Sequence, residues 1–446
     1  MPRRFKIVLI VVGFLVLAGI LLSRVRIVSD DVTLSRAIAP SAQEVSYRDG
    51  WKALSSLDFN KARKFRSKPF PEKLVDAAQA LSCARYAEAD RDASPLLSSK
   101  DLRIRKVARD IIVNSRLARN DYPGALEALP PYEELTGQLV THTVDSTNRL
   151  LIEAWSRGPV EEWNVPDTAV VLKMKRNMAG IAMVLVRINA VPVWFAIDTG
   201  ADFTVVTDEL AQRIGVESAS EMSGSSSTST SKKVAVGAGI IKFLDVGAIE
   251  VKHHRCYIID QDDLRFKLGP VTMMKIEGIV GWNFLQHLRT TLDFDQQQVR
   301  FEKPASPLPD DKRTLYWTGL SQPLIRMYAD NGTPLLLFFD SGANRTNLYK
   351  SIYRKLILEI ANSKETMVGG AGGFERQSKD IVNNLPLYGG GAQMRFKEIA
   401  VTTPVDVHQS FAENDGVAGY DIAGGGAIVL DPTAGEYLLL PPSDEQ

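Results

Sequence analysis

The distribution of apolar residues divides the chain into three regions with different periodicities. Residues 7–22 form an uninterrupted run of apolar residues and glycine. Between residues 30 and 163, apolar residues recur at spacings of three and four, which is the pattern of amphipathic helices. After Pro166, short apolar runs alternate with turn residues, which is typical of β-strands. The pattern therefore predicts an N-terminal apolar segment, a small helical domain and a larger β-rich part.

The apolar run at residues 7–22 follows a basic N-terminus and precedes Arg24 and Arg26. It is slightly shorter than the roughly 20 residues of a membrane-spanning helix, but flanking basic side chains can extend to the headgroups. Because no Ala-x-Ala cleavage site follows, we interpret residues 1–29 as a cytoplasmic tip and an uncleaved transmembrane signal anchor. A removed signal peptide is the alternative. The charge balance favours a bacterial inner-membrane protein whose remaining chain lies in the periplasm.

Residues 30–163 are predicted to form the helical domain. Leu74 and Leu81 share one helical face with the alanines between them. A faint repeat links Tyr-Ala-Glu-Ala at 86–89 with Tyr-Pro-Gly-Ala at 122–125, 36 residues later. This interval resembles the period of about 34 residues in tetratricopeptide hairpins, with a plain helical bundle as the alternative. Such a domain is expected to hold a protein partner or a substrate, or to act as a spacer.

Two short runs in the β-rich part share one pattern. Residues 193–201 read Val-Trp-Phe-Ala-Ile-Asp-Thr-Gly-Ala, and residues 335–343 read Leu-Leu-Leu-Phe-Phe-Asp-Ser-Gly-Ala. Each is predicted to be a buried strand that carries an aspartate, Asp198 or Asp340, to its end. A single Asp-Thr-Gly is usually no more than a turn. Since a buried carboxylate is strongly disfavoured unless it is paired or protonated, a matched pair indicates a chemical role.

The repeat extends on both sides of the aspartates. Predicted hairpins over 182–197 and 324–339 precede them. Gly-Ile-Val-Gly-Trp-Asn at 278–283 and Gly-Val-Ala-Gly-Tyr-Asp at 416–421 follow them, and both are followed by a further aspartate at the same spacing. The chain therefore contains two related lobes joined by a proline-rich connection. We place the first lobe at 164–303, the linker at 304–313 and the second lobe at 314–446.

Each lobe also carries a glycine-rich segment after its aspartate. Glycine permits bending and close backbone contact, so such segments can form hairpin flaps that close over a bound ligand. A mobile surface loop is the alternative. The predicted flap residues are Val236, Gly237 and Gly239 in the first lobe, and Gly369, Gly370 and Gly372 in the second.

The duplicated aspartate motif and the apolar-apolar-Gly segments at 279–281 and 417–419 resemble those of the retropepsin-like aspartic peptidases. The resemblance covers residues 180–440. It implies a mainly β, bilobed aspartic-peptidase fold with both lobes in one chain, preceded by the helical domain and the transmembrane helix. It also implies peptide-bond hydrolysis of a protein or peptide substrate, with no cofactor and no covalent intermediate.

The resemblance further implies a role for each motif residue. Asp198 and Asp340 would hold the attacking water, the ionised carboxylate as general base and the protonated one polarising the scissile carbonyl. Thr199 and Ser341 would form hydrogen bonds across the lobes beneath them. The other predicted active-site support residues are Gly200, Ala201, Gly342, Ala343, Gly281 and Gly419.

Alanine stands third after each aspartate, at Ala201 and Ala343, where pepsin-like enzymes commonly have a hydroxyl residue. Without that hydrogen bond to the carboxylate, the lower pKa of the pair should rise. We therefore expect a working pH range less acidic than that of pepsin.

The second lobe departs from the pattern at two places. Ala418 is small for its position, and residues 423–426 read Ala-Gly-Gly-Gly where the first lobe has a candidate short helix at 285–288. These departures leave two further hypotheses: a degenerate peptidase fold that binds peptides or serves as an adaptor, and a chain that must dimerise through one lobe. Retention of both aspartates, both hydroxyl residues and both glycines favours the enzyme.

Composition excludes some other classes of function. The chain of 446 residues has 53 basic and 53 acidic side chains, so no overall charge favours nucleic acid as a partner. Cys83 and Cys256 fall in different predicted domains, which does not indicate a disulfide framework. The five histidines show no metal-binding spacing, and we predict no metal site. The sequence thus favours a membrane-anchored aspartic endopeptidase.

Overall fold

Secondary structure changes from helix to strand near residue 160, where the hydrophobic periodicity changes. The computed structural model describes residues 42–65, 70–129, 146–220, 224–227, 233–268, 271–319, 323–404 and 411–443. The predicted membrane anchor at residues 1–29 lies outside these ranges. Within them, no helix has both the length and the apolar character needed to cross a membrane. From Ser46 onward the described residues belong to one compact unit.

The N-terminal part consists of short helices that begin at local capping residues. Asp101 accepts hydrogen bonds from the backbone N–H groups of Arg103 and Ile104, and Asp121 accepts one from Gly124. Such caps satisfy N–H groups that the start of a helix leaves without a partner. The helices are α1 (Ala42–Ser55), α2 (Phe59–Ala62), α3 (Glu72–Ser82), α4 (Tyr86–Ala93), α5 (Leu102–Leu117), α6 (Tyr122–Ala128) and α7 (Ser146–Ser156).

The helical part shares its apolar core with the first lobe. The two tyrosines of the faint repeat open α4 and α6, and each of these helices packs on the one before it. Leu74 and Leu81 of α3 are buried, as their spacing predicts. Leu81 and the strand residue Phe195 belong to one continuous apolar cluster. The helices are therefore packed directly onto the β-rich part, although the boundary at residue 163 stays a prediction.

Strands dominate after residue 160, so the fold is mainly β. The strands up to residue 302 are β1 (Glu162–Asn164), β2 (Val170–Lys173), β3 (Lys175–Arg176), β4 (Ala182–Ile188), β5 (Val191–Ile197), β6 (Thr204–Thr207), β7 (Glu217–Ser218), β8 (Gly224–Ser227), β9 (Lys233–Val246), β10 (Ile249–Ile259), β11 (Arg265–Leu268), β12 (Val271–Lys275), β13 (Gly278–Val280), β14 (Arg289–Asp293) and β15 (Gln298–Glu302). Two short helices, α8 (Asp208–Ile214) and α9 (Trp282–Leu285), lie among them.

The strands after residue 313 belong to the second lobe and the sheet that joins the lobes. They are β16 (Leu315–Trp317), β17 (Pro323–Ala329), β18 (Pro334–Phe339), β19 (Asn347–Tyr349), β20 (Ile360–Gly370), β21 (Gly373–Gly389), β22 (Ala392–Thr402), β23 (Gly416–Ala418), β24 (Ala427–Asp431) and β25 (Glu436–Leu440).

The repeat of sequence is accompanied by a repeat of strand topology. In the first lobe, β13 lies between β5 and β6, parallel to β5 and antiparallel to β6. In the second lobe, β23 lies between β18 and β19 with the same directions. β6 and β19 each also have a parallel neighbour, β10 and β22 respectively. Equivalent residues of the two lobes can therefore be matched through their strand partners.

A five-stranded sheet in the order β2-β15-β14-β24-β25 joins the lobes. β14 pairs antiparallel with β24, so that Thr290 lies opposite Leu430 and Asp293 opposite Ala427. Leu292 of β14 is fully buried at this junction. Because the first lobe supplies three adjacent strands and the second lobe two adjacent strands to one sheet, the lobes are held in a fixed relation to each other.

Candidate active site

Asp198 and Asp340 stand at the ends of two buried strands, β5 and β18. The backbone N–H of Asp198 donates to the carbonyl oxygen of Val280 at 3.1 Å. The backbone N–H of Asp340 donates to the carbonyl oxygen of Ala418 at 2.9 Å. The same element of each lobe, β13 or β23, thus fixes the backbone of each aspartate.

Thr199 and Ser341 form a buried set of hydrogen bonds between the lobes. Thr199 Oγ1 donates to the carbonyl oxygen of Phe339 at 2.7 Å and accepts from the N–H of Ser341 at 3.0 Å. Ser341 Oγ donates to the carbonyl oxygen of Ile197 at 3.0 Å and accepts from the N–H of Thr199 at 2.9 Å. Both residues are 1% exposed. Each hydroxyl therefore links the loop that carries it to the end of the aspartate-bearing strand of the other lobe.

Glycine at positions 200 and 342 lets the two loops approach closely. A Cβ at Gly200 would lie 2.8 Å from Oδ1 of Asp340, and one at Gly342 would lie 2.6 Å from Oδ2 of Asp198. The N–H of Gly200 donates to Oδ1 of Asp198, and the N–H of Gly342 donates to Oδ1 of Asp340, both at 2.8 Å. Any larger residue would push the carboxyl groups apart.

The carboxyl groups of Asp198 and Asp340 lie beside each other in a half-buried position. Burial raises the pKa of Asp198, although hydrogen bonds from Asp340 and the backbone N–H groups of Gly200 and Gly342 oppose the rise. Burial and the negative charge of Asp198 raise the pKa of Asp340 well above its ordinary value. Since two adjacent carboxylates cannot both ionise readily, the pair holds one proton between its two members.

Gly281 and Gly419 lie directly behind the aspartate loops. A Cβ at Gly281 would lie 2.4 Å from backbone atoms of Phe203, and one at Gly419 would lie 2.7 Å from the carbonyl oxygen of Ala343. These distances are below any real Cβ contact, so each glycine is required by the packing of backbone against backbone.

Ala201 and Ala343 connect the aspartate loops to the segments behind them. The carbonyl oxygen of Ala201 accepts from the N–H of Trp282 at 2.7 Å, and that of Ala343 accepts from the N–H of Tyr420 at 3.0 Å. Their methyl groups provide no side-chain hydrogen bond to the carboxyl pair. The structure thus brings all the predicted support residues together around the two aspartates.

Four further polar residues complete this framework and were not predicted to have a role. The N–H of Thr204 donates to Asn283 Oδ1 at 2.7 Å, while the N–H of Thr346 donates to Asp421 Oδ1 at 2.9 Å. Thr346 Oγ1 also donates to Asp421 Oδ1 at 2.6 Å. Asn283 and Asp421 occupy matching positions in the two repeated segments. A polar residue recurring at the end of both apolar segments is the sequence signal that identifies them.

The two departures in the second lobe leave its aspartate loop in place. Ala418 is fully buried, and its backbone carbonyl makes the hydrogen bond described above. Residues Tyr420–Ala423 form a single 3-10 turn that Gly424 ends with a φ of 58°. The first lobe has the α-helix α9 at this point. The differences are therefore confined to the chain that follows the support segment.

The glycine-rich segment of the second lobe forms a long hairpin of β20 and β21. Gly369 and Gly370 end β20, and Gly372 lies in the turn with a φ of 83°. The N–H of Gly372 donates to the carbonyl oxygen of Asp263 in the first lobe at 2.9 Å. The tip of this hairpin thus reaches from one lobe to the other.

The flap role of the three first-lobe residues stays a prediction. Val236, Gly237 and Gly239 lie within β9, and all three are buried. A Cβ at Gly239 would lie 2.7 Å from Sγ of Cys256 on the neighbouring β10. Glycine is required there by side-chain packing and not by mobility. Residues 228–232, which join β8 to β9, lie outside the described part of the chain.

No three His, Cys, Asp or Glu side chains form a metal-binding cluster among the residues with described positions. Cys83 and Cys256 are buried free thiols. Burial raises the pKa of Cys83 to about 11, and it raises that of Cys256 as well. The reactive groups of the site are therefore the two carboxyl groups.

Residues 184–284 match a family model described as aspartyl protease. The matched segment runs from β4 to α9 and includes Asp198 and Gly281. One similar solved structure is the crystal structure of a retropepsin-like aspartic protease from Rickettsia conorii. It is 18% identical, with a TM-score of 0.20, and the similarity covers 32% of this chain and 90% of that chain. No curated protein matches the sequence.

We predict that Thr199→Val destabilises the protein by about 2–3 kcal/mol, because it leaves a buried N–H and a buried carbonyl without partners. Thr199→Ser keeps the hydroxyl and is the matched control, expected to lose less than half as much. Unfolding in urea, followed by tryptophan fluorescence, measures both. Equal stability of the two variants would show that the hydrogen bonds between the lobes contribute little.

We predict that Asp340→Asn changes how stability depends on pH. Folded Asp340 binds its proton more tightly than the unfolded chain does, so the folded state holds more protons above the ordinary pKa of 3.8. The stability of the wild type should therefore fall as the pH rises from 3.8 through the raised pKa. The stability of the Asn variant should not fall in this way, and the variant should be more stable than the wild type by about 1 kcal/mol or more at pH 7.

Thermal unfolding of both proteins at a series of pH values tests this expectation. The difference in melting temperature should be largest at neutral pH and should shrink toward pH 3.8. A difference that stays constant across the series would contradict a raised pKa at Asp340.

Proposed function

We propose that this chain is an aspartic endopeptidase that hydrolyses peptide bonds in proteins or peptides. The observation that carries the proposal is the adjacent placement of the carboxyl groups of Asp198 and Asp340, which the hydrogen bonds of Thr199 and Ser341 hold from beneath. A protein that only binds peptides has no need of two carboxyl groups placed against each other at a net cost in stability. Sequence similarity of residues 184–284 to aspartyl proteases supports the same reaction class.

The chemistry follows from the protonation states of the two carboxyl groups. Asp198, as the carboxylate, accepts a proton from a water molecule held between the pair, and the water oxygen attacks the scissile carbonyl carbon. Asp340, as the acid, donates a hydrogen bond to the carbonyl oxygen and stabilises the charge that develops there. The proton that Asp198 took from the water then passes to the leaving nitrogen as the C–N bond breaks. No covalent bond to the protein forms at any step.

The proposal extends to the location of the enzyme. Residues 1–29 combine a basic tip with an apolar run, and we propose that they anchor the chain in a bacterial inner membrane, with the catalytic part in the periplasm. The substrates would then be proteins or peptides outside the cytoplasm. The helices that precede the lobes are proposed to contact a protein partner or the substrate.

Substituting either aspartate by asparagine should lower peptide cleavage by about a thousandfold or more, because each variant lacks one half of the acid–base pair. The full-length chain, purified in detergent, is incubated with a proteome-derived peptide library, and new chain ends are counted by mass spectrometry. Asp311→Asn, an exposed carboxylate distant in sequence from the pair, is the matched control. Unchanged cleavage by both Asp198→Asn and Asp340→Asn would exclude the proposed function.

The pH profile of cleavage should have its maximum above about pH 3, because neither Ala201 nor Ala343 supplies a hydroxyl that would stabilise the ionised carboxylate. Activity should fall on the acid side as Asp198 becomes protonated, and on the basic side as Asp340 loses its proton. Initial rates of cleavage of one peptide across a pH series measure this. A maximum below about pH 3 would contradict the interpretation of the two alanines.

A further inference from the structure

The two lobes have equivalent strands but different side chains beside the carboxyl pair. In the first lobe, Val205 of β6 pairs with Tyr257 of β10. The equivalent pair in the second lobe is Asn347 of β19 with Ala400 of β22. The first-lobe pair is large and apolar, whereas the second-lobe pair is small and polar. The two halves of the cleft therefore present different surfaces to a peptide.

The large apolar surface of the first lobe is covered by the C-terminal end of α7. Trp155 of this helix is 1% exposed, and its ring centroid lies 4.5 Å from that of Phe203 and 5.6 Å from that of Tyr257. Its indole N–H donates to the carbonyl oxygen of Gly239 at 3.1 Å. Phe203 is the fifth residue after Asp198. The helix thus packs on the chain that leads away from Asp198.

The equivalent surface of the second lobe is open. Arg345, the fifth residue after Asp340, is exposed at the position that corresponds to Phe203. Asn347 and Ala400 are half-buried, whereas Val205 is only 7% exposed. Since the backbones are equivalent, the difference arises from the helix and not from the fold of the lobes.

The covered surface is continuous with the loop of Asp198 and with the tip of the second-lobe hairpin. Ala201 of the Asp198 loop and Ala371 of the second-lobe hairpin both pack against the apolar cluster that contains Trp155. Ile279, the first residue of the support segment, belongs to the same cluster. Trp155 is therefore a member of the apolar cluster against which both the Asp198 loop and the hairpin tip pack.

Buried polar contacts hold α7 in this position. Arg255, 3% exposed, donates from Nη2 to the carbonyl oxygen of Trp155 at 3.0 Å, and its guanidinium lies 4.8 Å from the ring centroid of Tyr122. A cation at the C-terminal end of a helix is favourable for the helix dipole. A few residues later, the buried carboxylate of Glu161 lies 3.2 Å from the ring of His254. The helix is fixed at its C-terminal end, as a wall of the site would be.

We propose that α7 closes the first-lobe half of the cleft a short distance from the carboxyl pair, with Trp155, Phe203 and Tyr257 as the residues that determine substrate length on that side. The inference rests on the proposed peptidase function. A peptide would then extend freely along the second lobe, but would have room for only a few residues along the first. The proposal thereby narrows the endopeptidase activity proposed above to peptide bonds that lie a few residues from one end of a chain.

A ladder of peptides built around one cleaved sequence tests the proposal. The sequence is taken from the library experiment and is lengthened by one residue at a time, on either side of the scissile bond. For the wild-type full-length chain, kcat/KM should fall by about tenfold or more when one particular side is lengthened, and should stay constant on the other. Trp155→Ala should abolish most of this fall, and Trp155→Phe should retain it.

Trp51→Ala is the matched control, because Trp51 is also buried in the helical part but lies in a different apolar cluster. It should keep the one-sided length dependence of the wild type, even if it is equally destabilised. Equal tolerance of length on both sides in the wild type would overturn the proposal. So would a Trp155→Ala variant that cleaves every ladder member faster by one common factor, since that result would mean that the helix blocks the whole site. If wild type and Asp340→Asn both leave the library intact, the peptidase function itself fails.

Discussion

The hydrogen bonds that Thr199 and Ser341 exchange across the lobes are the constraint on which the site depends. Each hydroxyl donates to a strand of the opposite lobe and accepts from the loop of the opposite lobe, so neither loop can move alone. Two carboxyl groups repel each other when both ionise, and a flexible pair would separate. The buried hydrogen bonds prevent that separation, and the enforced closeness of the two carboxyl groups raises the pKa of Asp340. The proposed activity and the electrostatic repulsion that destabilises the pair therefore originate in the same few atoms.

The carboxyl pair and its immediate support could be predicted from the sequence because the chemistry restricts the residue types. Only a residue without a Cβ fits 2.6–2.8 Å from the opposing carboxyl oxygens, which is why glycine recurs at positions 200 and 342. Only a small hydroxyl residue can donate and accept beneath them at positions 199 and 341. Duplication then converts a common turn motif into a specific signal. Asn283 and Asp421 occupy matching positions in the two repeated segments, but their side chains differ, which concealed a shared role.

The glycine-rich segment of the first lobe shows where sequence patterns lose information. A run of alternating glycine reads as flexible, yet Gly239 is glycine because Cys256 and Ile258 fill the space that its Cβ would need. Its carbonyl is then free to accept the hydrogen bond of Trp155 from a distant helix. The periodicity of α7 predicts that one face of the helix is buried, but it does not indicate which part of the protein that face packs against. The hydrogen bond from Trp155 joins residues that are 84 positions apart in the sequence. Such a contact depends on how two folded surfaces fit together, which a local periodic pattern does not encode.

The asymmetry between the lobes is the part of the molecule that duplication alone does not explain. Both halves retain the aspartate, the hydroxyl residue and the glycines, since each of these touches its counterpart across the pseudo-symmetric junction. Phe203 and Arg345, each the fifth residue after its aspartate, differ in size, polarity and charge. An exposed Phe203 and Tyr257 would form an apolar patch beside the site, and α7 removes that patch from water. The helical part is thus stabilised by the apolar surface that it covers, and under the proposal made above the same packing limits the length of the substrate.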